Sequence, residues 1–294
     1  MSTVLNPAEM TAADTLIRLA LDEDLGAMGD RTSLATIPET AHATAAFVAR
    51  SAGVVAGLPI AQRVCTAVCR DLQFTALVSD GTASYRGLVL AQVSGPLRAI
   101  LAAERTALNF LQRLSGIASL TRQFVDAVQG YMVQILDTRK TTPGWRLLEK
   151  YAVRAGGGTN HRLGLFDGIL IKDNHLAGLG GDIRQAITAA RNYPGNRHLP
   201  VEIEVDNLEQ LEIALLAAAD IVLLDNMSLE QLRLAVARRN AIAPKVLLEA
   251  SGGVNLQTVR AIAATGVDRI SVGALTHSAP ALDIGLDYVP SVNG

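Results

Sequence analysis

Residues 201–225 read VEIEVDNLEQLEIALLAAADIVLLD. A short alternating run, 201–205, exits through Asp206 and Asn207. Apolar positions at helical spacing follow over 208–218, and a second aliphatic run, 221–224, ends on Asp225. Strand, polar exit, helix and strand make a βα unit, whose strands must lie parallel because a helix carries the chain back between them. In the first run Glu202 and Glu204 alternate with Val201, Ile203 and Val205. Successive strand side chains point to opposite faces. The aliphatic set therefore meets the covering helices, and the acids face the other way, inward if the sheet closes on itself.

The same grammar extends over everything after about Gly116. Strands are expected at 133–136, 168–171, 246–248 and 269–272, and helices at 145–154, 183–191, 229–238 and 256–265. Each strand is followed by a polar residue or a glycine turn: Asp137, Lys172, Asp206, Asp225, Ser251 and Gly273. Ligands bind at the C-terminal rim of parallel barrels, so this recurring rim favours a barrel over a doubly wound sheet. Before Gly116 the pattern is different. A helix at 8–22 leads into an acidic, glycine-punctuated loop, 22–33. Strands at 45–49, 74–78 and 89–93 surround a helix at 58–69, and a long helix covers 97–113. This is a small α+β domain, and no Pro-rich linker separates it from the barrel.

Composition bounds the function. The chain has 294 residues, 49% hydrophobic and 18% charged, which specifies a large core and excludes disorder. Net charge is −2, so no global field draws it to nucleic acid or an anionic membrane, and any basic site is local. Cys65 and Cys69, four apart on the 58–69 helix, read as core packing rather than a disulfide. With neither a signal-like start nor an apolar run long enough to span a bilayer, a reducing, cytoplasmic setting is expected.

The local basic site is easy to find. The strand ending at Leu136 runs into Asp137-Thr138-Arg139-Lys140; after Gly156-Gly157-Gly158 come His161 and Arg162; the next strand ends on Lys172. Three successive βα elements thus bring Arg139, Lys140, His161, Arg162 and Lys172 to one neighbourhood. Such a cluster suits an anion with several carboxylates or phosphates, Arg supplying a planar fork and Lys a mobile point charge. Three glycines in a row imply backbone that moves or approaches a ligand closely. Arg105, with Leu101 and Leu108 beside it on the long helix, sits at the border of an apolar face, where a snorkelling surface role competes with a binding one. The inward acids, Glu204 and Asp225, fit ion-paired scaffolding, sugar hydroxyls, or a divalent ion carried by a phosphorylated substrate. Ser251-Gly252-Gly253 and Val272-Gly273-Ala274 follow the last two strands, where glycine loops present backbone N–H groups to phosphate.

These stretches carry a resemblance. DTRKTTPG, AGGGTNHR, DGILIKDNH, VEIEVDN, LLDN and SGGV, with the earlier EDLGAMGDRTS and ERTALNFLQRLSGIAS, resemble the motifs of the quinolinate phosphoribosyltransferase family over essentially the whole chain. Trp145 departs from the pattern, an aliphatic residue being expected there. The resemblance implies an incomplete α/β barrel of about six or seven parallel strands at 116–275. It also implies an open-faced α/β sandwich at 1–115, with the segment 276–294 packing back on it. Decarboxylating transfer of phosphoribosyl from phosphoribosyl pyrophosphate to quinolinate, in NAD biosynthesis, is the activity implied.

By the same resemblance, Thr138, Arg139, Lys140, His161, Arg162 and Lys172 form the quinolinate wall. Glu204 and Asp225 hold the ribose; Ser251, Gly252, Gly253, Val272, Gly273 and Ala274 hold phosphate. Mg2+ is expected to arrive with phosphoribosyl pyrophosphate near Glu204 and Asp225, with no metal held by the protein alone. Either Lys140 or Lys172 assists decarboxylation. A homodimer is implied, with Arg105 donated to the neighbouring subunit's site, and a hexamer is compatible with it. The competing readings are a related phosphoribosyltransferase, such as a molybdenum-gene-associated paralogue or an enzyme acting on a monocarboxylate, against which the number of cations argues, and a non-catalytic barrel that binds a phosphorylated ligand as a sensor or scaffold, in which Glu204 and Asp225 would have no role.

Overall fold

The computed structural model describes residues 4–289. In chain order the elements are α1 (Pro7–Leu25), α2 (Arg31–Thr36), β1 (His42–Ala49), β2 (Gly53–Val54), α3 (Leu58–Val68), β3 (Gln73–Ala76), β4 (Ala83–Ser84), β5 (Val89–Pro96), α4 (Leu97–Ala127), β6 (Gln134–Leu136), α5 (Arg146–Ala155), β7 (Ile169–Ile171), α6 (Asp173–Ala177), α7 (Ile183–Asn192), β8 (Val201–Val205), α8 (Leu208–Leu216), β9 (Ile221–Asp225), α9 (Leu229–Ile242), β10 (Leu247–Ser251), α10 (Val259–Ala263), β11 (Arg269–Ser271), α11 (Ala274–His277) and β12 (Ile284–Val289). They fall into two compact units. The first runs through Arg122, takes in Thr141–Gly157 and resumes at Leu275; the second holds Gln123–Lys140 and Gly158–Ala274.

The first unit is built on an antiparallel sheet of order β12-β1-β5-β3. Strand β12 returns from the end of the chain to pair with β1, Ala45 opposite Tyr288 and Phe47 opposite Leu286. Residues 290–294 of the segment expected to pack back here lie outside the described residues. Part of the acidic stretch read as a loop is helical. Helix α1 continues to Leu25, and the Asp30 carboxylate caps α2 by accepting from the Thr32 and Ser33 N–H groups. The long helix α4 outruns its expected end by fourteen residues, since 114–127 keep the same buried stripe of Leu114, Ile117, Ala118 and Phe124.

Helix α5 belongs with this unit because its buried polar groups are anchored there. Glu149, fully buried, accepts from Arg113 at 2.7 Å and from the Thr142 hydroxyl at 2.8 Å and N–H at 3.1 Å. The Tyr151 hydroxyl donates to Asp80, Arg154 pairs with Glu9 at 2.7 Å, and Trp145 stacks on Phe110 with centroids 4.8 Å apart. The unexpected tryptophan is thus a packing residue. Gly156 is explained by packing as well: a Cβ there would lie 2.4 Å from the Ala118 carbonyl oxygen on α4. Close helix approach, not a ligand, requires that first glycine of the triplet.

The second unit is the incomplete α/β barrel. Its six strands are all parallel, in the order β6-β11-β10-β9-β8-β7. On its free side β6 makes a single parallel bridge, Leu136 to Thr159, which is all that the described residues form of a seventh strand between β6 and β7. Val201, Ile203 and Val205 are fully buried toward the helices, so Glu202 and Glu204 do face inward. Register then places Glu204, Leu223, Glu249 and Arg269 side by side on that inner face. At the strands' N-terminal ends one device recurs. Asp220 accepts from Val201 N–H and pairs with Arg191, while Asp268 accepts from Leu248 N–H and pairs with Arg239. Each Asp ties a strand start to the helix before it, which is the stabilising end of such a fold. No helix among the described residues is long and apolar enough to cross a membrane.

Candidate active site

The C-terminal rim of the barrel opens into a cavity of about 580 Å3. Thr138, Arg139 and Lys140 reach it from the loop after β6, and His161 and Arg162 from the segment after the Thr159 bridge. Leu170 comes from β7 with Lys172 just beyond it, Glu204 from β8, Leu223 and Asp225 from β9 with Asn226 just beyond, Glu249 and Ser251 from β10 with Gly252 and Gly253 just beyond, and Ser271 from β11. A groove of about 980 Å3 in the first unit is larger, but it brings Arg63, already paired with Asp14, and Arg70 beside Leu58, Pro59, Ala67 and Val68, and has no convergent set of cations.

Eleven of the expected residues therefore meet in one cavity: Thr138, Arg139, Lys140, His161, Arg162, Lys172, Glu204, Asp225, Ser251, Gly252 and Gly253. Four do not line it. Arg105 is exposed on α4 in the other unit. Val272 is a correction: its side chain is buried and its N–H already donates to the Leu136 carbonyl at 2.8 Å, so no phosphate can claim it. Gly273 and Ala274 do not line the cavity either; Ala274 opens α11, and the neighbouring Ser271 is the residue of this strand that does.

Charge is distributed unevenly within the site. Burial and the adjacent Arg139 guanidinium pull the Arg162 guanidinium below its usual range, against the opposing pull of Glu202 and Asp167. Two like charges side by side favour an anion between or beside them. Lys172 Nζ lies 2.8 Å from Glu204 Oε2, so that lysine and that acid neutralise each other here. The Ser251-Gly252-Gly253 turn is set by stereochemistry. Gly252 and Gly253 have φ of +93° and +61°, and a Cβ at 252 would lie 2.1 Å from Asn226 Oδ1. Asn226, itself left-handed at φ 52°, donates its N–H to the Ser251 carbonyl at 2.9 Å and its amide to Asp225 at 2.7 Å.

Sequence reasoning missed the floor. His161 Nε2 lies 3.2 Å from Glu202 Oε2 and 3.3 Å from Glu249 Oε1, and Arg269 Nε lies 3.2 Å from Glu249 Oε2. Burial drives Glu202 above the carboxylate range; its hydrogen bond with His161 works against this, and the neighbouring Glu249 charge adds to it. On His161 burial opposes a charge, while the hydrogen bonds and charges of Glu202 and Glu249 favour one. That tendency competes with a contact. The Arg162 backbone N–H donates to His161 Nδ1 at 2.8 Å, which requires a lone pair on that nitrogen. The contact is what the geometry holds, so in this conformation the ring is neutral and its proton sits on Nε2, between the acids. The same proton argues against a metal: His161, Glu202 and Glu249 have cage spacing, but an ion would need the Nε2 lone pair. Period-two alternation already placed Glu202 inward; nothing local to the sequence says that His161 would reach it.

An α/β-barrel enzyme that takes polyanionic small molecules at its strand ends is what this fold and this site define. The chain belongs to the quinolinate phosphoribosyltransferase family. The family model for the N-terminal domain matches residues 30–115 and that for the C-terminal domain matches residues 117–287. A nicotinate-nucleotide pyrophosphorylase (carboxylating) of Mycobacterium leprae is 47% identical over 288 residues, covering 97% of this chain and all of that protein. A quinolinate phosphoribosyltransferase (decarboxylating) of Nicotiana glauca is 42% identical over 92% of this chain and 81% of that one. The solved nicotinate-nucleotide pyrophosphorylase of Francisella tularensis superposes with a TM-score of 0.88 at 42% identity, covering 95% of this chain and 96% of that one.

Proposed function

We propose that this protein transfers the phosphoribosyl group of phosphoribosyl pyrophosphate to quinolinate with loss of CO2, giving nicotinate mononucleotide and pyrophosphate for NAD synthesis. The observation that carries the reading is the split character of one cavity: crowded Arg139 and Arg162 on one side, the Ser251–Gly253 turn with Glu204 and Asp225 on the other. A pyridine dicarboxylate fits the first and a ribose bearing phosphates fits the second.

The ring nitrogen of quinolinate carries no proton at neutral pH, so its attack on the anomeric carbon needs no base. The new C–N bond forms as the C–O bond to pyrophosphate breaks, and the protein aligns the two partners and stabilises charge. Glu204 and Asp225 orient the ribose hydroxyls and favour positive charge developing on the sugar. For Glu204 this requires that Lys172 leave it for a substrate carboxylate. The alkylated ring then accepts the electron pair released as the 2-carboxylate departs as CO2, and the resulting carbanion takes a proton at C2 from Lys140 or Lys172. Mg2+ arrives as part of the pyrophosphate substrate. Glu204 and Asp225 suit that role, since Mg2+ keeps most of its shell as water and phosphate oxygen and needs only one or two carboxylates. Among the described residues neither belongs to a three-ligand cluster that would hold an ion alone. Thr138, Arg139, Arg162 and Lys172 bind quinolinate, with the His161 ring, both nitrogens engaged, as the floor beneath them, and Ser251, Gly252 and Gly253 bind phosphate.

A cytoplasmic homodimer completes the reading, with Arg105 closing the partner's pocket. Its exposure on α4, with no ion pair among the described residues, supports this. With quinolinate, phosphoribosyl pyrophosphate and Mg2+, the purified protein is expected to release CO2 and pyrophosphate in equal amounts. Turnover of nicotinate in place of quinolinate would overturn the substrate. Arg105→Ala is expected to lose activity and to recover part of it when mixed with inactive Lys140→Ala under subunit exchange; no recovery would refute a shared site.

A further inference from the structure

The floor cluster has a feature that a scaffold would avoid. Glu249 is fully buried and Glu202 nearly so, yet Glu202 Oε1, both Glu249 carboxylate oxygens and Arg269 Nε make no hydrogen bond. Buried charge without full satisfaction is destabilising, and apolar side chains of similar size would serve the barrel core better. The arrangement is explained by what stands on it. Both acids face the same ring atom, His161 Nε2, from two strands that are not neighbours. The ring's other nitrogen accepts from the backbone of Arg162. One residue further out, the Arg162 side chain lines the cavity, with its Nη1 donating to the Gly168 carbonyl at 3.1 Å. From below, Asp137 fixes the same segment by accepting the His161 N–H at 2.9 Å and the Asn160 amide at 2.6 Å.

We propose that Glu202 and Glu249 are positioning residues for the reaction: Glu202 through Oε2 at 3.2 Å from His161 Nε2 and Glu249 through its charge 3.3 Å from the same atom, they orient the ring so that Nδ1 fixes the Arg162 backbone and aims its guanidinium at the dicarboxylate substrate. Their part is to hold the ring rather than to bind substrate. A ring free to flip would present N–H to N–H at Arg162 for part of the time and turn the guanidinium away. The negative charge of Glu202 also acts on Arg162 directly, offsetting part of the repulsion from Arg139. Arg269 balances Glu249 from the β11 side.

The inference rests on the quinolinate reading of the Arg139–Arg162 wall, and its test separates the two. Glu202→Leu and Glu249→Leu are each expected to raise the KM for quinolinate about tenfold, the loss of about one hydrogen bond's orientation. The KM for phosphoribosyl pyrophosphate and kcat should stay within about twofold. Glu202→Gln, whose carbonyl oxygen still accepts from Nε2–H, is expected to recover most of that loss, and Glu249→Gln, which removes the charge, is not. A rise shared equally by both substrates, or a lowered melting temperature with quinolinate KM unchanged, would mean a purely structural role and overturn the proposal. A second readout needs no variant: 15N spectra of the wild-type His161 ring should show protonated Nε2 and a bare Nδ1, and a proton on Nδ1 in the free enzyme overturns the proposal even if the Leu variants fail to fold. Arg162→Ala is the control. If it leaves the quinolinate KM unchanged, the wall reading itself fails; if it raises that KM while the glutamate variants do not, only the positioning role fails.

Discussion

The two units treat buried acids in opposite ways. In the first, Asp80 accepts from Gly57 N–H at 2.6 Å, Leu58 N–H at 3.1 Å and the Tyr151 hydroxyl, and Glu149 takes two donors from Thr142 and one from Arg113. Each is saturated and each joins elements: Asp80 the start of α3 to α5, Glu149 helix α4 to the chain entering α5. In the barrel, Glu202 and Glu249 are equally buried but partly unsatisfied, and they converge on one histidine. A saturated buried acid marks scaffold; an under-satisfied one marks a place where orientation matters more than stability.

Four measurements would break or sharpen that contrast. The largest effect is expected from Arg162→Ala, which strips a half-buried guanidinium from the wall: roughly a thousandfold loss in kcat/KM for quinolinate, the size of a charge-assisted pair, with the melting temperature little changed. Asp80→Ala should do the reverse. Leaving three donors stranded in the first unit costs about 2–4 kcal/mol and lowers the melting temperature by roughly 10 °C, while kcat/KM measured well below melting stays near wild type. A steady-state assay combined with a thermal melt on both variants tests the pair, and equal loss of activity and stability in either would erase the distinction.

Gly252→Ala comes next. Its left-handed φ and the Asn226 clash predict a rise of about tenfold or more in the KM for phosphoribosyl pyrophosphate, with quinolinate binding by calorimetry unaffected. The smallest effect concerns Cys65. Burial pushes its thiol up to about 12, so in the folded protein at pH 8 it stays protonated and should resist alkylation, with full labelling only after denaturation. Mass spectrometry after brief exposure to iodoacetamide checks this, and fast native labelling would show that the first unit is looser than its saturated contacts suggest.

How much of this was legible beforehand depends on how local the signal is. Strand β8 was read to the residue because five residues carry their own period, and the inward aim of Glu202 and Glu204 followed from it. Ten of the eleven cavity residues were found because a parallel barrel sends every strand end to one rim, and Thr138 came from the family resemblance. What failed was non-local. Val272 looked like part of a phosphate loop, but its N–H is spent on Leu136, a partner 136 positions earlier in the chain. Segment 145–154 reads as an ordinary barrel helix by period, and only its partners, Glu9, Asp80 and Arg113, assign it to the first unit. The return of segment 276–294 to the first unit was expected from the resemblance alone; that it returns as strand β12 was not read, because its pairing with β1 spans most of the chain.

The lone Leu136–Thr159 bridge has a consequence for anyone who would idealise this protein. A regular strand alternates its side chains, so a completed seventh strand would send one of His161 and Arg162 to the inside and the other to the outside. Here the ladder stops after one rung, the backbone is released, and both consecutive residues reach the cavity. Sealing the seam to gain rigidity would therefore subtract a recognition residue. For this barrel, an unfinished wall is the condition for having two adjacent hands inside.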